Sequence, residues 1–387
     1  MEKIKVVFFA DILISDFDGA SRTMFHLINR IPVNQFEFLF VCGLGPKQIN
    51  HFKCIHVFTL GVPGNKSYRF AAPMLQQLEL DKIVESFAPH VIHISTPSLL
   101  GNYALKTAKR LGLPVITIYH THFISYVDYY IRNFPFLIDL AKNKVNDALK
   151  SFYNQCDTVY VPSQCMIQEL GERGVRQDVM KLWERGIDKN LFSPTKRNPE
   201  IIRSLTGNDY PCILFVSRLV WEKNLQMLID LYHLIKKRKL NYNLLVVGEG
   251  VARKEIEKQM PEALFLGHRG HTELASLYAS STVFFFPSVT ETFGNVVLEA
   301  MASGIPCVVA DKGGSRDFVD DGVNGFRCNP YNVEAFLEKI MLIIEQPKLA
   351  RQFSEKGLEQ SRKYVWENLA SIYFNDLKLL SYDLQVV

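Results

Sequence analysis

Short apolar runs alternate with amphipathic stretches along the whole chain. In the first half, β-rich runs that are apolar at almost every position cover 5–10, 36–41, 54–59, 91–94, 115–119 and 158–161. Between several of them apolar residues recur at helical spacing, over 21–31, 75–87 and 98–111. Strands that are apolar at successive positions belong to a parallel sheet covered on both faces. Strand and helix in alternation predict right-handed βαβ units wound into a doubly wound sheet. The same grammar restarts in the second half. Strands are predicted there over 212–217, 242–247, 264–266, 283–287 and 306–310, and helices over 225–238, 251–259, 271–279, 295–303 and 333–346. The predicted fold class is therefore α/β, with two Rossmann-like doubly wound domains in series. The segment 190–209 carries Pro194, Pro199 and Gly207 among polar residues and predicts the linker.

Composition narrows the function without naming it. A chain of 387 residues suits two domains. With 48% hydrophobic and 22% charged residues it has the balance of a globular protein, not of a disordered one. A formal net charge of +4 is too small to argue for nucleic acid, but it suits phosphates or an acidic membrane surface. The seven cysteines are odd in number, scattered, and lack a C-x-x-C pair, which points to buried thiols in a reducing compartment. The N-terminal apolar run is short and is broken by Asp11, so it predicts a first strand and not a signal peptide. No apolar stretch reaches the ~18 residues of a membrane span. The expected location is cytoplasmic, with surface attachment to a membrane left open.

In an open α/β sheet, ligands bind beyond the carboxyl ends of the strands, so the informative residues are those that follow a predicted strand. One such segment is Glu291-Thr-Phe-Gly-Asn-Val-Val-Leu-Glu299, a polar loop running into a helix that starts near Gly294 and Asn295. The N–H groups of a helix start attract anions and hydroxyl oxygens. Glu291 and Glu299 can hold hydroxyl pairs at two ends of one ligand, or can be solvated and locally paired. A second segment places Arg218 and Lys223 on a loop entering a helix. A guanidinium and an ammonium together suit a diphosphate, or are two surface cations. A third, Asp18-Gly19-Ala20-Ser21, follows the first strand, where Gly19 permits close approach of a phosphate or marks a surface turn. A fourth, Tyr119-His120-Thr121-His122, puts two histidines on one side of an extended segment, without a third ligand nearby in sequence. Two patterns are decoys. Val246-Val-Gly-Glu-Gly250 imitates a dinucleotide fingerprint, but Arg253 stands where its third glycine belongs. His268 and His271 form a weak metal signal.

These segments have a known counterpart. Glu291 and Glu299, with seven residues between them and followed by Ala-Met-Ala-Ser-Gly304-Ile-Pro, resemble the donor-site signature of the retaining GT-B glycosyltransferases of the large family four type. That group includes bacterial lipid mannosyl- and glucosyltransferases and sulfolipid synthase. The resemblance implies two Rossmann-like domains facing across a cleft: an acceptor-side domain over 1–190, a nucleotide-sugar domain over 191–365, and a final helix within 366–387 crossing back to the first. It implies that Glu291 lies beside the donor sugar, that Glu299 binds the ribose, and that the N–H groups of Phe293, Gly294 and Asn295 face sugar and diphosphate. Arg218 and Lys223 become the diphosphate clamp, Gly19 a backbone approach to the donor, and His120 a residue near donor sugar and acceptor. The implied catalytic set is His120, Arg218, Lys223 and Glu291. Asp188, in Arg185-Gly-Ile-Asp188, faces the cleft or braces its turn, and Gly313-Gly314-Ser-Arg-Asp317 carries Asp where the family has Glu.

The implied reaction is transfer of a hexose, with retention, to an acceptor hydroxyl. No cofactor or metal is required besides the nucleoside-diphosphate sugar, for which a UDP-sugar is favoured and GDP-mannose is possible. The acceptor side points to a membrane lipid or lipid-linked glycan. His122, Tyr126 and Tyr129 shape its pocket or simply pack. The helix expected over 131–148, with its lysines, lies on an anionic membrane or is an ordinary half-buried helix. The rival readings are a nucleotide-sugar epimerase of the same fold, a dinucleotide-dependent oxidoreductase, and a silent binding module. The intact set of two carboxylates and two cations argues against the last.

Overall fold

A computed structural model describes residues 2–15, 17–62, 65–120 and 138–383. The chain divides into two compact units, Met1–Glu184 with Trp366–Val387, and Arg185–Val365. In unit 1 the strands are β1 (Ile4–Ile12), β2 (Phe36–Leu44), β3 (Gln48–Ile49), β4 (Phe52–His56), β5 (Thr59–Val62), β6 (Asn65–Ala71), β7 (Val91–Ile94), β8 (Val115–Ile118), β9 (Thr158–Val161) and β10 (Met180–Leu182). The main sheet runs β10-β9-β8-β7-β1-β2-β4-β3, parallel except for the edge pair β3 and β4. The continuous apolar run of β1 has the predicted cause. Val7 and Phe9 enter one core cluster, and Val6, Phe8 and Ala10 enter the other. Successive side chains point to opposite faces, so a strand covered on both sides must be apolar throughout. One face is covered by α2 (Gln77–Phe87), α3 (Leu99–Leu111), α4 (Ile138–Tyr153) and α5 (Gln164–Glu172), and the other in part by α1 (Gly19–Ile28).

Two predictions differ in detail. The run 54–59 is not one strand: β4 ends at His56, and β5 begins an antiparallel hairpin with β6. The inner face of the hairpin carries Ala71 against Gly43 of β2, where an added Cβ would stand 2.8 Å from the Asp11 carbonyl oxygen. The expected linker at 190–209 is instead part of unit 2 and holds α6 (Pro199–Thr206), with Pro199 at its start and Gly207 as a left-handed C-cap. Proline opening a helix and glycine closing it read, in sequence, like the punctuation of a linker.

Unit 2 repeats the plan more regularly. Its strands are β11 (Cys212–Val216), β12 (Asn243–Val247), β13 (Leu264–Gly267), β14 (Val283–Phe286), β15 (Cys307–Ala310) and β16 (Gly325–Cys328), in the order β13-β12-β11-β14-β15-β16 and all parallel. Around the sheet stand α7 (Leu225–Lys237), α8 (Arg253–Gln259), α9 (His271–Ser280), α10 (Asn295–Ala302), α11 (Val333–Glu345) and α12 (Pro347–Ser361).

The last helix, α13 (Trp366–Asp383), belongs to unit 1. It closes the second face of that sheet with Trp366, Leu369, Tyr373, Phe374 and Leu377, each burial contributing on the order of 1.5–3 kcal/mol. Polar contacts fix its register. Trp183 Nε1 donates to the Leu369 carbonyl at 3.0 Å, the Tyr160 hydroxyl donates to Asp376 at 2.5 Å, and Lys181 pairs with Asp376 at 2.6 Å. No described helix is long and apolar enough to cross a membrane.

Candidate active site

In unit 2 the strand order reverses between β11 and β14, which are neighbours in the sheet but separated in sequence by β12 and β13. Loops leaving two such strands diverge and open a crevice at their carboxyl ends. The loop after β11 holds Arg218 and ends in a short 3-10 turn, Trp221–Lys223. The loop after β14 holds Ser288, Thr290 and Glu291 and ends at α10. Three bonds tie the two together. Lys223 Nζ donates to Glu291 Oε1 at 2.7 Å, the Thr290 hydroxyl donates to the Glu222 carbonyl at 3.1 Å, and Asn224 Nδ2 donates to the Pro287 carbonyl at 3.1 Å. Asn224 adopts a left-handed backbone (φ 56°) to reach that carbonyl and the one of Pro330.

Glycines from the flanking strands let this arrangement close. A Cβ at Gly248 would lie 1.8 Å from the Ser217 carbonyl oxygen, and one at Gly250 would lie 2.3 Å from that of Leu219. The turn that imitates a dinucleotide fingerprint thus acts as a support pressed against the Arg218 loop. On the other side, a Cβ at Gly314 would lie 2.5 Å from the Thr292 carbonyl oxygen, and the Gly314 N–H donates to the Glu291 carbonyl at 2.7 Å.

The electrostatics centre on Glu291. Burial alone would push its carboxyl up, but the charge and hydrogen bond of Lys223, the Ser288 hydroxyl at 2.9 Å and the charge of Arg218 outweigh it, so the carboxyl is held below its ordinary value. Lys223 and Glu291 are both largely buried, with side chains 10% and 17% exposed, whereas the Arg218 side chain is 56% exposed and pairs with Glu222 at 3.2 Å. The crevice therefore offers one locked cation, one exposed cation and an ionised carboxylate. Next to them α10 begins at Gly294, whose left-handed backbone (φ 94°) and contact with Ser315, where a Cβ would meet Oγ at 2.4 Å, admit glycine alone. The first-turn N–H groups of a helix have no partner within it. Deeper in α10, buried Glu299 accepts a hydrogen bond from the Tyr278 hydroxyl of α9 at 3.2 Å.

Comparison with known proteins places this geometry. Residues 17–191 match the family described as Glycosyltransferase Family 4, and residues 197–360 match the family described as Glycosyl transferases group 1. The chain is similar to a GDP-mannose-dependent alpha-mannosyltransferase of Corynebacterium glutamicum, 29% identical over 95% of this chain and 87% of that one. It is also similar to a sulfoquinovosyl transferase of Arabidopsis thaliana, 31% identical over 73% of this chain but 55% of that longer protein. Among solved structures, Anabaena HepE in complex with UDP and glucose shares the fold, with a TM-score of 0.73 and 20% identity over 97% of this chain and 99% of that one. The chain belongs to the group 1 glycosyltransferases.

In this glycosyltransferase, Arg218, Lys223, Glu291, Gly294, Asn295 and Glu299 all lie on the loops and helix that leave β11 and β14. Phe293 contributes its backbone to that loop, while its side chain turns into the core against Phe318 and Tyr364. Gly19 and His120 belong to unit 1. Gly19 is the first residue of α1, with Asp18 as N-cap accepting from the Ser21 N–H at 2.8 Å, which accounts for Asp18 in that motif. His120 follows β8 and is buried, whereas His122, Tyr126 and Tyr129 lie outside the described residues. The part of 131–148 that is described begins α4, whose Leu149, Phe152 and Tyr153 pack in the core. Asp188 braces its own turn, accepting from the N–H groups of Asn190 and Leu191. Among the described residues no group of three or more His, Cys, Asp or Glu stands together as metal ligands would. Sequence reasoning missed Ser288 and Tyr278. Ser288, three residues before Glu291 and just after a strand, carried a usable signal; Tyr278, on a different helix from Glu299, carried none. Nothing here favours an epimerase or a dinucleotide-dependent oxidoreductase over the family activity.

Proposed function

We propose that this glycosyltransferase moves a hexose, with retention of configuration, from a nucleoside-diphosphate sugar to a hydroxyl of a membrane lipid or lipid-linked glycan. The observation that carries the reading is the Lys223 and Glu291 ion pair at the β11 and β14 crevice, with exposed Arg218 beside it and the start of α10 next to it. Arg218 and Lys223 neutralise the diphosphate as it departs, and the N–H groups of Phe293, Gly294 and Asn295 share that task. Glu291, kept ionised by Lys223, accepts hydrogen bonds from hydroxyls of the donor sugar. Glu299, steadied by Tyr278, accepts them from the ribose. The acceptor attacks from the face the diphosphate leaves, and the departing phosphate oxygen takes its proton. Gly19 and His120, both in unit 1, keep the roles that the family resemblance implies for them, Gly19 for the donor and His120 for donor sugar and acceptor. The two cations supply the positive charge that a metal supplies elsewhere, so the reaction is metal-independent.

The donor base follows from a screen. The sequence favours uridine; the Anabaena neighbour is in complex with UDP, and the Corynebacterium relative is GDP-mannose-dependent. The lipid acceptor rests on the glycolipid-forming character of the resembled group, the association with an anionic membrane face on the mild basic charge and the lysines of 131–148, and the cytoplasmic location on the scattered cysteines. Thermal-shift titration with UDP, GDP, ADP and their sugars tests the reading. One nucleotide diphosphate should raise the melting temperature of the wild type and much less that of Lys223→Ala. Absence of any shift, or an unchanged shift in the variant, sinks the donor site.

A further inference from the structure

A two-stranded hairpin packed on one face should carry polar residues on the other. The β5 and β6 hairpin breaks that rule. Its inner face is packed: Thr59 pairs with Ala71, and Ala71 is buried against β2. The next pair, Leu60 with Phe70, belongs to the opposite face by the alternation of the strand. Both side chains are exposed, as is Phe58, two residues before Leu60. The apolar surface continues past the hairpin into a 3-10 turn, Pro73–Leu75, and the first turn of α2. There Met74, Leu75 and Leu78 are exposed as well, Leu78 by 81%. Two hydrogen bonds join the parts. The Ala72 N–H donates to the Phe58 carbonyl at 2.7 Å, and the Phe58 N–H donates to Gln76 Oε1 at 2.8 Å. These six side chains therefore stand on one tied piece of unit 1. The core of α2 is served by Leu80 and Val84, so Leu78 is spare to it. Single exposed apolar residues are ordinary, but a run of them on neighbouring elements marks a contact surface.

The charge of the same stretch says what it contacts. From Phe38 to Leu78 the chain has no Asp or Glu, but it has Lys47, Lys53, Lys66 and Arg69. Lys47, Lys53 and Arg69 are exposed. Arg69 is fixed on the hairpin, donating from Nε to the Thr59 hydroxyl at 2.7 Å and from Nη2 to the Thr59 carbonyl at 2.9 Å. Carboxylates return only at Glu79, and those beyond it on α2, Asp81 and Glu85, are paired with Arg110. A second copy across a two-fold axis would set this cationic surface against itself. An anionic lipid surface satisfies both halves of the pattern: apolar and aromatic side chains enter the boundary of the acyl chains, and lysine and arginine meet the head groups.

We propose that the outer face of the β5 and β6 hairpin, with the turn and first residues of α2 that follow it, is the surface by which unit 1 docks on an anionic lipid bilayer. The proposal deepens the membrane association put forward above and moves its centre from the lysines of 131–148 to this apolar face.

The test is sedimentation of the full chain with vesicles of phosphatidylcholine, alone or mixed with phosphatidylglycerol. Wild type should bind the mixed vesicles, and raising salt to about 1 M, where screening acts within about 3 Å, should weaken that binding. The double variant Phe70→Ser and Leu78→Ser should lose at least about tenfold in affinity for mixed vesicles. Because both side chains are exposed, its melting temperature and its shift by nucleotide should stay as in wild type. Met74→Gln with Leu75→Gln, outside the hairpin, should give the same loss and guards against damage to the β5 and β6 pairing. Lys47→Gln with Lys53→Gln should weaken binding to mixed vesicles about threefold or more. Unchanged vesicle binding in both apolar double variants overturns the proposal while leaving membrane association standing. A loss confined to Lys142→Gln with Lys144→Gln overturns it too and returns the docking surface to 131–148. A wild-type dimer that the apolar variants dissociate, without vesicle binding, makes the face a contact between copies and also overturns it. If wild type binds no vesicle at all, membrane association fails together with this proposal, and the nucleotide-induced thermal shift still judges the donor site separately.

Discussion

The identity of a residue matters here mainly through what it is bonded to. The sequence reads Glu291 with Glu299 and Lys223 with Arg218, and the structure makes Glu291 and Lys223 one buried pair with Ser288. That changes what their variants should do. Lys223→Ala leaves a carboxylate buried without its cation and should cost about 3 kcal/mol in urea unfolding besides abolishing transfer. Glu291→Gln keeps shape and should spare the fold while lowering kcat about 100-fold; near-normal turnover would remove Glu291 from the site. The pH dependence follows with its sign. The folded-state value of Glu291 lies below its ordinary 4.5, so its contribution is complete above that value and is lost as pH falls through the folded one. Stability measured between pH 5 and 3 should therefore fall more gently in Glu291→Gln than in wild type. His93 behaves as a buried base. Desolvation holds its ring down to about 3 from 6.5, and its Nδ1 lies 2.9 Å from the Tyr373 hydroxyl. The neutral ring is the folded form, so stability is full above pH 6.5 and declines below it by up to about 1.4 kcal/mol per pH unit. Urea midpoints at pH 7 and 5 should differ less in the double variant His93→Phe and Tyr373→Phe.

Elements were legible where the rule was local. The strands at 91–94 and 158–161 appear in the structure with the predicted bounds, because an apolar run flanked by polar turns is itself the local cause of a buried strand. The β5 and β6 hairpin and β16 were not foreseen. They lack the continuous apolar runs that mark a buried strand, so the local signal does not announce them. The misread linker at 190–209 has the same origin, since Pro199 and Gly207 punctuate a helix as well as they punctuate a loop. At this scale the donor loop depends on α10 being entered through Gly294. Gly294→Ala should push the loop off Ser315, raise the donor Kd by at least about tenfold, and leave the far-UV spectrum of both sheets in place. Unchanged donor affinity would show that the loop tolerates the displacement.

At the scale of the whole molecule, the chain builds one unit from its two ends and another from its middle. Truncation before Trp366 should uncover Trp183 and Tyr160, red-shift tryptophan fluorescence and lower the unfolding midpoint of unit 1, while nucleotide binding by unit 2 is lost later or not at all. The thiols report on packing in the same way. Six of the seven free cysteines are buried and Cys165 is half-buried, so a thiol reagent at pH 8 should find Cys165 first, and Cys165→Ser should remove the fast phase. The sequence by itself determined that there are two doubly wound α/β layers, because the periodicity of apolar residues is the direct imprint of burial on both faces. It also determined that Arg218, Lys223, Glu291 and Glu299 follow strands, because a motif is a local object. Only the tertiary structure decided that β11 and β14 are neighbours and that Lys223 and Glu291 share one bond. It alone brings Tyr278 to Glu299. Those facts depend on strand order and on contacts between residues tens of positions apart, which no local pattern of side chains encodes.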